Sequence, residues 1–149
     1  FAHLFNLDDE ALKAHNAVRS TVTAHPGAPC RVSLADAAVG ETVILVNHAS
    51  LTGKTPYAAT HAVYVRENAT PMLPERDEVP EVLASRILSV RPFDKDNLML
   101  AGEVIDGRNL AATLHRLFED EAVAHVHVHF AGAGCFGARA TRPDTDLSQ

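Results

Sequence analysis

The sequence has no tryptophan, and aromatic residues make up only 5 % of it. Few side chains are therefore available as stacking platforms for single-stranded nucleic acid. It also lacks any run of Lys or Arg, and its formal net charge is -6. The electrostatic attraction that dominates nucleic-acid binding is missing, so a nucleic-acid partner is set aside. No apolar stretch approaches the roughly 20 residues that a membrane span needs, and no basic start followed by an apolar stretch resembles an export signal. A cytoplasmic protein without a membrane partner is expected. Cysteine is scarce too: Cys30 and Cys135 are the only two. They lie too far apart for a zinc knuckle or a CxxC redox pair, and in a reducing compartment they should be free thiols.

What is present is the composition of an ordinary folded protein. Hydrophobic residues are 46 % and charged residues 21 % of 149. A chain of this size buries about 70 % of the surface it exposes when unfolded, so a single domain over 1–149 needs no staple. Two short motifs carry no weight. Asn68-Ala69-Thr70 matches a glycosylation acceptor only in a secreted protein. Gly53-Lys54-Thr55 resembles the end of a phosphate-binding loop, but His48 stands where the first glycine is needed and Pro56 spoils the helix start.

The pattern along the chain alternates turn formers with short β-rich runs. Asp8 can cap a first helix with Leu7 packing on Leu12, and that helix should end before Pro26-Gly27. Strands are predicted over 30–34, 42–48 and 60–66, with a turn at Val39-Gly40 and a polar loop between the last two. Residues 71–80 carry three prolines and form an exposed connection, with Pro80 opening a short helix. A hairpin follows, 86–93 with 98–105. Leu110, Leu114, Leu117 and Phe118 then fall on one helical stripe. A second hairpin, 123–131 with 135–141, ends the chain. The sum is an α+β protein with a mostly antiparallel or mixed sheet of about seven strands, packed by two main helices.

Three segments carry a family resemblance. They are Pro29-Cys30-Arg31-Val32-Ser33-Leu34 with Asp36, His61-Ala62-Val63-Tyr64-Val65-Arg66-Glu67, and His127-Val128-His129-Phe130-Ala131 leading into Gly134-Cys135-Phe136. Over 5–142 the chain resembles the small bacterial proteins grouped as domain of unknown function 1203. The resemblance implies a bacterial source and one shared fold; it implies no activity.

Chemistry is most legible at Ala124-His125-Val126-His127-Val128-His129-Phe130. Strand side chains alternate, so the three histidines share one face and the apolar residues take the other, which is expected to be the core face. A three-residue hairpin loop at Gly132-Ala133-Gly134 would place Ala131 opposite Cys135, His129 opposite Gly137, His127 opposite Arg139 and His125 opposite Thr141.

Several chemistries fit that face, and nothing points to a particular cofactor. The best supported is a pocket for a small anionic ligand, in a binding protein or an enzyme. Arg139 would grip the anion while His127 and His129 donate to it. Arg31, Arg66 and Arg91 lie in or beside predicted strands; Arg31 is taken as the one that joins the pocket, and an ion pair is the default for the others. Cys135 is a candidate catalytic nucleophile with His129 as its base. Metal ligation by His127 and His129 with His61, His48 or Cys135 is a further reading, opposed by the positive charge of Arg139. In the non-catalytic reading the histidines are solvated on an edge hairpin or form the surface of a homodimer.

Overall fold

The computed structural model describes residues 1–72 and 78–142. It has two sheets rather than one, in two compact units: Phe1–His48 with 60–72, and Ala49–Ala59 with 78–142.

In the first unit, α1 (Asp9–Ala14) starts where Asp8 accepts a hydrogen bond from the Ala11 amide at 2.8 Å, a cap worth about 1 kcal/mol. The helix stops after six residues. The chain then enters a strand that the sequence pattern did not reveal, β1 (Ala17–Thr21). The predicted strand at 30–34 is a turn flanked by two short strands, β2 (Pro29–Cys30) and β3 (Ala35–Asp36). The two central strands were legible. They are β4 (Thr42–Leu51), which runs three residues beyond the expected end, and β5 (Ala59–Arg66), which starts one residue early. The sheet order is β1-β4-β5-β2-β3, and Cys30 pairs with Tyr64 in parallel while β1 runs antiparallel to β4, which makes the sheet mixed. Alternation along β4 and β5 drives packing on both faces. Ile44, Val46, Val63 and Val65 close on Leu4, Leu12 and Ala17, whereas Val43 closes on Val22, Ala28 and Ala37.

In the second unit, α2 (Glu81–Ala84) follows Pro80 and leads into β6 (Ile87–Phe93). The partner strand predicted at 98–105 is shorter and later, β7 (Glu103–Asp106), preceded by an isolated bridge between Phe93 and Met99. The predicted helix is α3 (Leu110–Phe118), with Leu110 and Phe118 buried and Leu114 and Leu117 half-buried. The chain continues through β8 (His125–Phe130) and β9 (Phe136–Thr141). All pairings are antiparallel, in the order β7-β6-β8-β9. The architecture is α+β, as the pattern of elements implied. Part of the predicted 71–80 connection, residues 73–77, lies outside the described residues, and among the described residues no helix is long and apolar enough to cross a membrane.

Candidate functional site

The order of the second sheet makes β8 an inner strand, with β6 on one side and β9 on the other. Every residue of β8 is buried. The histidine face is therefore neither an outer nor a solvated one: His125, His127 and His129 are 5 %, 2 % and 3 % exposed within the chain itself. This corrects the reading in which the histidines are solvated on an edge hairpin.

Strand register arranges the face in rows. Arg91 of β6 and Arg139 of β9 both stand directly opposite His127. Phe93 and Thr141 flank His125 in the same way, and Ser89 and Phe136 flank His129. Residues directly opposite in an antiparallel pair point to the same face, so each row is a line of three neighbouring side chains. The pairs His127–Arg139 and His125–Thr141 are those expected from the sequence. The pair His129–Gly137 is not. The register shifts after Val128 because Gly137 is the extra residue of a bulge, and Phe136 takes its place. A side chain at Gly137 would bring its Cβ to 3.0 Å from the Val128 carbonyl. The turn differs as well. The Phe130 amide, not Ala131, pairs with the carbonyl of Cys135, and four residues, 131–134, make the connection.

Burial decides the charge state of this face. His127 is pushed down to about 3, first by burial, then by the neighbouring His125 and His129 and by the guanidinium charges of Arg139 and Arg91. His125 is lowered by burial and Arg139, with Asp94 opposing. At neutral pH these two imidazoles are uncharged. The rings pack as an aromatic layer: His125 stacks on Phe93 at 5.5 Å, and His127 meets Phe93 and Phe136 at 5.2 and 5.1 Å. His129 is tied at Nδ1 to the Gly134 carbonyl at 2.9 Å; a carbonyl only accepts, so Nδ1 carries the proton and Nε2 is the basic nitrogen. The Nε2 of His125 is buried without a hydrogen bond, and the ring of His127 makes none among the described residues.

The two arginines are the charged part of the site. Arg91 is half-buried and Arg139 exposed, and neither has an ion-pair partner among the described residues. Other arginines here do find carboxylates: Arg108 meets Glu81 and Arg116 meets Glu103, each at 2.7 Å. Among the described residues Arg91 donates only its Nε, to Ser89 Oγ at 3.1 Å, and its two terminal nitrogens make no hydrogen bond there.

Of the residues singled out in the sequence, His127, His129, Arg139 and Cys135 belong to this hairpin. Arg31 and His61 belong to the first unit. Arg31 follows β2 and donates to the Pro29 carbonyl at 2.6 Å, and His61 lies half-buried on β5. Among the described residues no three His, Cys, Asp or Glu side chains are grouped to hold a metal ion. Arg91 was the residue whose place the sequence did not disclose. Alternation in 87–93 sets Ser89 and Arg91 on one face, but nothing local shows that this strand lies beside the histidines.

No curated protein and no solved structure matches the chain. A family model described as "Protein of unknown function (DUF1203)" does match, over residues 27–142, a span that includes both β4 and β5 and the whole of β6 to β9. By that match, and by the segments at 29–34, 61–67 and 127–136 that lie within it, the chain belongs to the DUF1203 family.

Proposed function

We propose that this protein binds a small anionic ligand at the Arg91–His127–Arg139 row. The observation that carries the reading is two guanidiniums in register on either side of one buried imidazole, with no carboxylate paired to them among the described residues. The chain has 19 acidic and 13 basic side chains, so the lack of a carboxylate beside these two arginines among the described residues is not a matter of supply. Guanidinium binds carboxylate or phosphate through paired N–H bonds, and the neutral imidazole of His127 adds one donor. Cys135 and His129, at the turn of the same hairpin, are the groups that would supply nucleophile and base if the ligand is also a substrate. Both cysteines are free thiols, which fits a reducing, cytoplasmic compartment, and the family resemblance fits a bacterial source.

The test is thermal unfolding of the full chain with phosphates and carboxylates. An anion at a hundred times its dissociation constant adds about 2.7 kcal/mol, or roughly 5–10 °C in Tm for a chain of this size. Arg91→Gln and Arg139→Gln should each remove most of that gain. An anion response that survives both substitutions would place the binding elsewhere.

A further inference from the structure

The proposed anion site has a charge and spacing that select among anions. Resting on it, we infer that the ligand presents a tetrahedral dianion, a phosphoryl or sulfate-like group, centred over His127 between the two guanidiniums.

Three features argue for this class. The first is charge: Arg91 and Arg139 contribute two positive charges, and His127, neutral and buried, contributes none. A dianion balances the pair, whereas a monocarboxylate leaves one guanidinium unmatched. The second is spacing. Directly opposed residues in antiparallel strands lie about 5 Å apart at Cα, so the two arginines stand about 10 Å apart with His127 at the midpoint. Arginine side chains are long enough to reach the centre of the row from both ends, and the charges of both guanidiniums act on His127. The third is the unpartnered ring. His127 is 2 % exposed and makes no side-chain hydrogen bond with any described residue. Unlike Nε2 of His125, its ring nitrogens are not sealed from solvent without a partner, and an oxyanion in contact with them supplies the hydrogen bond. A tetrahedral oxyanion offers oxygens to left, right and below, meeting both guanidiniums and the imidazole at once. A dicarboxylate of matching length satisfies the two arginines but spans the midpoint with carbon, leaving His127 unpaired.

Ser89 fits the same arrangement. By accepting from Arg91 Nε it holds that edge of the guanidinium, and the two terminal nitrogens form a fork of the kind suited to two oxygens of one phosphoryl group. The groups facing the ligand are thus Arg91, His127 and Arg139, with Phe136 and Phe93 forming apolar walls on the two sides of His127.

Isothermal titration of the full chain with sulfate, inorganic phosphate, glycerol 3-phosphate, succinate and acetate tests this. Sulfate and phosphate should bind at least tenfold more tightly than succinate or acetate, and R91Q and R139Q should each weaken sulfate binding at least tenfold. Tighter binding of glycerol 3-phosphate than of inorganic phosphate identifies a phosphate ester as the ligand; equal binding identifies the free oxyanion. Because His127 is in the core and its replacement risks the fold, its role is read in the wild-type protein. Sulfate should move the ring nitrogen resonances of His127 in a long-range 1H–15N spectrum, ahead of those of His3, His15 and His25. Succinate binding as tightly as sulfate, or an unmoved His127, overturns the inference and leaves the anion site standing. If none of the five anions binds, the site itself is refuted and the inference with it.

Discussion

The guanidinium of Arg142 donates to the carbonyl of Phe118 at 2.6 Å and lies over the ring of the same residue, 5.5 Å from its centre. It also reaches the carbonyls of Asp120, Glu121 and Val123. Phe118 is the last residue of α3, whose final carbonyls have no partners within the helix, and the other three carbonyls belong to the turn that follows it, so one residue just past β9 ties both together. Arg142→Ala should therefore cost about 2 kcal/mol, read as a Tm lowered by roughly 4–8 °C. Arg142→Lys should recover only part of that, since a single ammonium cannot fork across several carbonyls. Equal stability of Arg142→Ala and wild type would show that the cap is redundant.

Gly107 sits where no side chain fits. A Cβ there would lie 2.0 Å from the Leu83 carbonyl and 2.6 Å from that of Arg86, and the Gly107 amide donates to Arg86 at 2.8 Å. The obstacle is backbone and cannot swing aside. Gly107→Ala should destabilise by more than about 3 kcal/mol, seen as a reduced urea midpoint or as insoluble protein. By contrast, Gly132→Ala meets nothing within 4 Å and should leave the midpoint near that of the wild type.

The buried histidines set an acid limit. His127, at about 3 when folded, and His125, also lowered, bind protons more weakly folded than unfolded, where histidine titrates near 6.5. Their contribution to stability is complete above about pH 6.5 and is lost as pH falls toward the folded-state values, at up to about 1.4 kcal/mol per pH unit for each group. Urea midpoints measured from pH 7 down to pH 4 should fall steadily. A flat profile over that window would mean that these imidazoles are accessible enough to protonate in place.

His125 offers a sharper test, because its Nε2 is buried without a partner while its ring stacks on Phe93 at an interplanar angle of 14°. Phenylalanine keeps the stack and removes the unsatisfied nitrogen. His125→Phe should be neutral or stabilising, by up to about 1 kcal/mol in the unliganded protein. A loss of 2 kcal/mol or more would reveal a hydrogen-bond partner of that nitrogen, such as an ordered water, and would be seen in the same denaturation series.

Much of the local structure was legible because it depends on neighbours in sequence. The Asp8 cap, the apolar stripe of 110–118 and the alternation of 124–130 each follow from spacing alone, and so does the sharing of one face by His125, His127 and His129. The pairing of His127 with Arg139 agrees with the expectation although the connection is one residue longer than expected, because the bulge at Gly137 restores the register. The nearer pair, expected as His129 with Gly137, does not, since a glycine in a strand gives no sign from sequence of whether it is paired or bulged.

An α+β chain, its family and a strand whose histidines share a face all follow from the order of the amino acids. Tertiary structure decided what that face is. Alternation says which side chains point together, but it does not say which strands lie beside them or whether anything covers them. The placement of β6 next to β8 is a pairing between segments distant in sequence, and it alone brings Arg91 into line with His127 and Arg139. Burial on both sides of β8 then holds His125 and His127 neutral, leaving the two guanidiniums as the charge of the site.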